Sequence, residues 1–268
     1  MPRHKLTIAY DGTHFHGWQR QHPPGRDPLR TVQGVLENAM RVRLKQPVNV
    51  IGASRTDAGV HAEGQVAHFD ADCPIPLGRL PLALNARLPD DVEVRHAEAV
   101  PATFDAIRSC VGKRYRYRLY TGDRRPLLRR HQVFHVFYEL DPDHMNAAAA
   151  RLVGTHDFEG FATAGHGRES TVRTVSACRV EPHEGDELHV VIEGDGFLWN
   201  MVRIIAGTLV EVGRGRWEPD RIDEVLAAAD RRLAGPTAPP QGLCLETIFY
   251  RPFPEPAHDA SLIDHCNV

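Results

Sequence analysis

The stretch RYRYRLY at residues 114–120 constrains the fold more than any other part of this 268-residue chain. Basic residues alternate here with aromatic and apolar ones, and successive side chains of a β-strand point to opposite faces of a sheet. The stretch therefore predicts a strand with one apolar face and one charged face.

The other segments extend this pattern to a whole fold. Alternating or apolar runs predict strands at residues 5–10, 48–51, 65–69, 92–100, 172–180, 187–193 and 246–250. Helical spacing predicts helices at residues 32–40 (with Thr31 as N-cap), 77–88, 145–153, 197–212 and 223–229. Because strands and helices do not alternate as in a parallel sheet, the predicted class is α+β. Two mixed halves, residues 1–105 and 106–250, are expected to meet at a cleft, and residues 251–268 are expected to form a flexible tail.

Composition excludes several kinds of protein. The five cysteines form no C-x-x-C and the histidines no H-E-x-x-H, so neither a disulfide framework nor a metal site is expected. No apolar run approaches the roughly 18 residues that a membrane span requires. The expected location is the cytoplasm, with no membrane partner.

Charge is distributed unevenly along the chain. The formal net charge is -3, yet residues 108–130 contain nine basic residues and one acid, Asp123. A basic surface on a mildly acidic protein suits a polyanion bound on one face. An arginine-rich strand that is merely solvated is the alternative.

The loop at residues 52–61 (GASRTDAGVH) is the first candidate for chemistry. Arg55 lies two residues before Asp57, and small residues flank both. This arrangement suits a carboxylate that is held ionised while a substrate approaches closely. An ordinary Asx-turn at Thr56 and Asp57 explains the same residues equally well.

Two further residues extend the candidate site. Tyr115 lies among arginines, where an aromatic ring can stack on a base, although packing in the core is the more common role of a strand tyrosine. Arg203 lies in a mostly apolar helix, so it must be paired, face a cavity or extend to solvent.

The order of several short motifs carries more information than any one of them. They are YDGT at 10–13, GWQ at 17–19, TVQ at 31–33, RTDAGVH at 55–61, QV at 65–66 with Phe69, LN at 84–85, KRYRY at 113–117, HDF at 156–158, GFL at 196–198 with MVR at 201–203, and APP at 238–240 with GL at 242–243. Together they resemble the tRNA pseudouridine synthase A family over residues 5 to about 250. The RTDAGVH motif is highly specific.

The resemblance implies the pseudouridine synthase fold, in which two similar mixed α/β halves with antiparallel sheets meet at a central RNA-binding cleft. It also implies isomerisation of uridine to pseudouridine at positions 38, 39 and 40 of the tRNA anticodon arm, without a metal or organic cofactor, by a homodimer. By the family pattern Asp57 is the catalytic carboxylate and Arg55 helps extrude the target nucleotide. Tyr115 stacks on the flipped base and helps remove its C5 proton, while Arg203 pairs with Asp57. The expected substrate-binding residues are Tyr115, Lys113, Arg114, Arg116, His61, Trp18 and Gln19.

The chemistry is consistent with these roles. Breaking a glycosidic bond and remaking it at carbon requires a base that has left the stack. An ionised carboxylate can attack C6, attack C1′ or assist deprotonation at C2′, and the sequence does not choose among these routes. Two arginines near Asp57 are expected to keep it ionised. Neutralising Arg114 or Arg116 is expected to weaken RNA binding and its salt dependence.

Three departures from the family pattern stand out. Ile107 follows Ala106 where the family usually has arginine, so Arg108 comes one place late. Ser54 precedes Arg55 where glycine is common, which is tolerable if its φ is negative. The loop at residues 22–30 (HPPGRDPLR) is long and rich in proline.

Two other functions compete with this one. A hydrolase with paired carboxylates, for example Asp57 and Asp11, needs two carboxyl groups in a fixed geometry. A non-catalytic RNA-binding module would bind tRNA without converting it.

Overall fold

The structure is a computed structural model that describes residues 1–165, 167 and 169–251. The expected tail, residues 251–268, therefore lies outside the described residues except for Arg251. The strands are β1 (Arg3–Tyr10), β2 (Ile51–Gly52), β3 (His61–Asp70), β4 (Val92–Val100), β5 (Gly112–Tyr120), β6 (Phe134–His135), β7 (Gly154–Asp157), β8 (Val172–His183), β9 (Glu187–Gly194) and β10 (Leu243–Phe249). The α-helices are α1 (Val32–Leu44), α2 (Leu80–Asn85), α3 (Pro142–Ala150), α4 (Met201–Gly213) and α5 (Arg221–Ala228).

One continuous sheet joins the two halves of the chain. Its strand order is β4-β1-β3-β10-β5-β9-β8-β7, with β2 paired to β3 and β6 to β5. All neighbours along the main path are antiparallel except β3 and β10, which run parallel. The α+β class with mainly antiparallel pairing is confirmed, and β10 is the strand that connects the two halves.

The central strand β5 has the two faces that its sequence predicts. Tyr115, Tyr117 and Leu119 are buried in the core, whereas the arginines between them are partly exposed on the other face. The apolar helix α4 is buried along almost its whole length. Burial of this apolar surface is the main driving force for folding.

Most predicted elements are confirmed with shifted ends. Helix α1 begins after Thr31, whose side chain accepts a hydrogen bond from the Gly34 N–H, and ends at Lys45 in the left-handed conformation. Helix α4 begins at Met201 rather than at residue 197, because Asn200 has a φ of 61° that a helix cannot continue through.

Two predictions require larger corrections. The strand expected at residues 48–51 is reduced to Ile51–Gly52. The helix expected at residues 77–88 divides into a 3₁₀ turn, Leu77–Arg79, and the short α2. Proline lies in the first turn of α2, where its missing N–H is harmless, but deeper in a longer helix it would remove a hydrogen bond.

Candidate active site

The loop at residues 52–61, here called the aspartate loop, is held by buried side chains behind it. The Gln65 side chain of β3 accepts from the Ser54 N–H at 3.2 Å and donates to the Ser54 carbonyl at 2.6 Å. The Tyr10 and Thr56 hydroxyls are hydrogen-bonded at 2.7 Å. Such satisfied buried contacts fix the loop in one conformation.

The segment at residues 13–30 packs against the outer side of the aspartate loop. The backbone N–H of Trp18 donates to the Thr56 carbonyl at 3.0 Å, and the backbone N–H of Gly59 donates to the Phe15 carbonyl at 3.3 Å. Gly17, with a φ of 87°, passes so close that a Cβ atom would lie 2.6 Å from the Thr56 oxygen. The absence of a side chain at Gly17 therefore allows the segment to pack directly against the aspartate loop.

A cavity of about 620 Å³ opens in front of the aspartate loop. This volume is within the usual range for small-molecule sites. Its described lining consists of Gly52, Ala53, Ser54, Arg55, Thr56, Asp57, Val60, Ile107, Lys113, Tyr115, Gly165, Gly167, Phe197, Leu198, Trp199, Asn200, Met201, Val202, Arg203 and Leu243. The structure thus brings the four expected catalytic residues, Asp57, Arg55, Tyr115 and Arg203, to one cavity.

Asp57 is half-buried on the cavity wall, and two effects on its carboxyl group oppose each other. Burial raises its pKa above the ordinary value, while the Arg203 charge and a hydrogen bond from the Trp199 indole lower it. The net pKa direction is upward. The expectation that two arginines stabilise the carboxylate requires correction, because Arg203 is the charge that acts on Asp57, while Arg55 is exposed.

Arg203 is held in place from the first turn of α4. Its Nε donates to the Ala238 carbonyl at 2.7 Å and one Nη donates to the Asn200 side chain at 2.8 Å. The same Nη lies 3.8 Å from an Asp57 carboxylate oxygen. Arg203 is therefore both paired and directed at the cavity, and it does not extend to solvent.

Tyr115 and Lys113 reach the cavity from the same face of β5. The Tyr115 hydroxyl is hydrogen-bonded to Ser54 Oγ at 2.9 Å, and Phe197 packs edge-on against its ring. Burial raises the pKa of Tyr115 to about 12, so its hydroxyl is protonated at neutral pH. Lys113 Nζ donates to the Ala53 carbonyl and to Ser54 Oγ, each at 3.2 Å.

Arg114 and Arg116 point to the opposite face of the sheet. Arg114 is paired with Glu193 at 2.8 Å and Arg116 with Glu246 at 2.7 Å, and both carboxylates are largely buried. The alternation that directs Lys113 and Tyr115 into the cavity directs these arginines away from it. The structure does not bring these two expected substrate-binding residues to the cavity.

His61 and Trp18 also lie outside the cavity lining. His61 Nδ1 accepts from the Gly12 N–H at 3.0 Å, so Nε2 carries the ring proton and donates to the Gln241 carbonyl at 3.1 Å. Trp18 is buried against Gly52, behind the aspartate loop, and the neighbouring Gln19 is exposed. His61 and Trp18 support the loop from behind.

Three hydrogen-bonding cavity residues were missed as site residues by sequence reasoning. Trp199 is about half exposed and donates to Asp57, Asn200 orients Arg203, and Ser54 bonds Tyr115. Trp199 and Asn200 lie between the GFL and MVR motifs, which was the available signal. Ser54 is not among the described residues with positive φ, so serine is tolerated here in place of the glycine that is common in the family. Ile107 lines the cavity in an exposed position.

The described lining also bears on other kinds of chemistry. Asp57 is the single carboxylate among the described cavity residues, and Asp11 instead accepts from Thr13 at the end of β1. Paired-carboxylate hydrolysis is therefore disfavoured.

In residues 1–165, 167 and 169–251, no three His, Cys, Asp or Glu side chains are grouped as metal ligands. Over the same residues, no helix has the length and apolar character needed to span a bilayer.

Comparison with known proteins identifies the family. The model of the tRNA pseudouridine synthase family matches residues 6–108 and 148–251. The chain is 46% identical over 248 residues to tRNA pseudouridine synthase A of Bacillus pumilus, covering 92% of this chain and 98% of that protein. It is 48% identical over 254 residues to tRNA pseudouridine synthase A of Myxococcus xanthus, covering 95% and 94% respectively. The chain therefore belongs to the tRNA pseudouridine synthase family.

Proposed function

We propose that this protein isomerises uridine to pseudouridine at positions 38, 39 and 40 in the anticodon arm of tRNA. The observation that supports it most is the convergence of Asp57, Arg203 and Tyr115 on one cavity, 620 Å³ in volume, within a member of this family. Because tRNA acts in translation, the proposed activity belongs in the cytoplasm.

The proposed mechanism begins with a uridine extruded from the RNA into the cavity. Arg55, exposed at the lining, is positioned to hold the displaced nucleotide or its phosphate. The Tyr115 ring and the Phe197 ring offer apolar surface for the base. Asp57 then acts on the nucleoside as a carboxylate, at C6, at C1′ or through C2′ deprotonation.

The electrostatics of Asp57 suit this task. A carboxylate whose pKa is raised by burial is a stronger base than an exposed one, yet the Arg203 charge keeps the ionised form accessible. All atoms of the substrate are retained in an isomerisation, so the protein residues need only hold the base, the sugar and one mobile proton. No redox or group-donor cofactor is required by that balance.

The proposed division of the chain is into halves 1–105 and 106–250 that share the cavity. The aspartate loop comes from the first half, whereas Tyr115 and Arg203 come from the second.

A homodimer is also proposed. Its support is that four exposed apolar side chains, Leu127, Leu128, Phe137 and Tyr138, lie close together in sequence. Light scattering that finds the mass of one chain would remove the dimer proposal.

The test of the proposed function is pseudouridine mapping on an unmodified tRNA transcript with uridines at positions 38, 39 and 40. Purified protein is added without any cofactor. Asp57→Ala should abolish conversion while tRNA binding stays nearly unchanged, because the carboxylate acts on the reacting nucleoside. Asp143→Asn, an exposed carboxylate in the first turn of α3, is the matched control and should convert normally.

Each outcome has a definite meaning. Conversion at positions 38–40 supports the full proposal. Conversion only at other uridines keeps the reaction and rejects the position assignment. A folded protein that binds tRNA without converting it would support the binding-module alternative, and substantial activity of Asp57→Ala would reject the role of Asp57.

A further inference from the structure

Ser54 forms the contact between the aspartate loop and the β5 side chains in the cavity. Its Oγ is 2.9 Å from the Tyr115 hydroxyl and 3.2 Å from Lys113 Nζ. The serine is buried, and it is only three residues before Asp57. The Ser54 hydroxyl thus connects the aspartate loop of the first half to Tyr115 and Lys113 of the second half.

The loop does not depend on this hydroxyl for its own conformation. Both backbone polar groups of Ser54 are already bonded to the Gln65 side chain, and Thr56 is bonded to Tyr10. The described contacts of Ser54 Oγ all reach toward β5. Removing the hydroxyl should therefore leave the loop in place and affect Tyr115 and Lys113.

The hydrogen-bonding capacities of the three groups limit which atoms can donate. A lysine ammonium only donates, so Ser54 Oγ accepts from Lys113. The single Ser54 proton can then be donated to the Tyr115 oxygen, which among the described partners of Ser54 Oγ is the one able to accept it. With Ser54 donating to it, the Tyr115 hydroxyl proton is left to point toward the cavity.

We propose that Ser54 is a positioning residue that fixes the Tyr115 phenol and directs its proton toward the bound base. This inference rests on the proposed function, since it refines how the same cavity acts on uridine. The substrate group it concerns is a hydrogen-bond acceptor on the flipped base. Ser54 acts through Tyr115 and does not touch the reacting atoms.

A double-mutant cycle with Tyr115 tests this role. Single-turnover rates are measured with excess enzyme for the wild type, Ser54→Ala, Tyr115→Phe and the double variant. Ser54→Ala should lower the rate roughly 5- to 20-fold, the size expected for one lost positioning hydrogen bond, and change tRNA affinity less than about twofold. In the Tyr115→Phe background the same change should lower the rate clearly less, because the hydroxyl that Ser54 positions is already absent and only the Lys113 contact is lost.

The matched control is Ser176→Ala in β8. Ser176 is a buried serine whose hydroxyl has no hydrogen-bond partner in the described part of the chain, and it is not a lining residue of the cavity. Its variant should retain the wild-type rate. A loss equal to that of Ser54→Ala would show that removal of any buried hydroxyl is enough, and would overturn the proposal.

A second measurement does not require activity. The ¹³Cζ resonance of Tyr115, assigned by its disappearance in Tyr115→Phe, should shift in Ser54→Ala and stay unchanged in Ser176→Ala. An unchanged resonance, or an equal rate loss from Ser54→Ala in both tyrosine backgrounds, would overturn the proposal. If the wild type forms no pseudouridine, the proposed function fails, while the resonance still decides whether Ser54 positions the phenol.

Discussion

The pKa of the Asp57 carboxyl group depends on the side chains around it and on its burial. Its carboxyl group is half-buried, and burial raises its pKa because the charged form loses hydration. Arg203, at 3.8 Å, favours the charged form and lowers the pKa. Since burial has the larger effect, the carboxylate should protonate at a higher pH than an exposed aspartate.

Replacing Arg203 by glutamine should make this shift larger. Without the positive charge, the lowering effect of Arg203 is lost and burial still acts, so the pKa of Asp57 should rise further. If the ionised carboxylate is the active form, the acidic limb of the kcat/KM profile moves to higher pH, which can be followed between pH 4 and 8. The matched control is Arg151→Gln, which removes a surface ion pair to Asp223. An unmoved limb would mean that Arg203 does not set the ionisation of Asp57.

At the scale of a single element, β5 separates two kinds of residue by its pleat. Lys113 and Tyr115 face the cavity, and Arg114, Arg116 and Arg118 face a set of carboxylates on the other side. A run of basic residues in sequence therefore becomes two surfaces with different tasks. On the second surface, Arg114 and Arg116 compensate largely buried acids of neighbouring strands, and Arg118 pairs with the exposed Glu63.

Neutralising Arg116 should consequently reduce stability more than RNA binding. Arg116→Met leaves the nearly buried Glu246 without its partner and should lower the free energy of unfolding by about 1–3 kcal/mol. Adding Glu246→Gln should recover part of that loss. Urea denaturation measures the loss of stability, and tRNA binding at several salt concentrations measures the effect on RNA binding. A reduced salt slope with unchanged stability would instead support the sequence-based expectation that Arg116 contacts phosphate.

At the scale of the whole molecule, β10 connects the two halves. This last described strand lies between β3 of the first half and β5 of the second. The parallel pairing of β10 with β3 involves only Cys244 with His61 and Leu245 with Ala62. The geometry of the cavity, which takes residues from both halves, therefore depends on a short junction.

Gly64 is the residue that allows this junction to close. A Cβ atom at position 64 would lie 2.1 Å from the Glu246 carbonyl oxygen, so the backbones would have to separate. Gly64→Ala should therefore destabilise the protein by about 1–3 kcal/mol and also lower activity, because the halves carry different parts of the site. The matched control is Gly78→Ala, where a Cβ would meet nothing within 4 Å. Thermal unfolding and single-turnover rates of both variants check this, and equal behaviour would show that the close approach is unimportant.

The sequence by itself determined the local features of this protein. The alternation of β5, the Thr31 cap of α1 and the apolar face of α4 were all predicted, because each depends on periodicity or on neighbours within a few residues. The motif order similarly predicted the family. The presence of Asp57, Arg55, Tyr115 and Arg203 in one candidate site followed from that resemblance.

Only the tertiary structure decided which side chains share a space and which charges meet. The pairing of Arg116 with Glu246, the support of the aspartate loop by Trp18 and His61, and the Ser54 contact with Tyr115 join residues far apart in sequence. The direction of the Asp57 pKa was likewise decided by burial, which motif spacing does not reveal. Side-chain direction along a strand is a local property, whereas solvent exclusion and ion pairing arise when distant strands pack together.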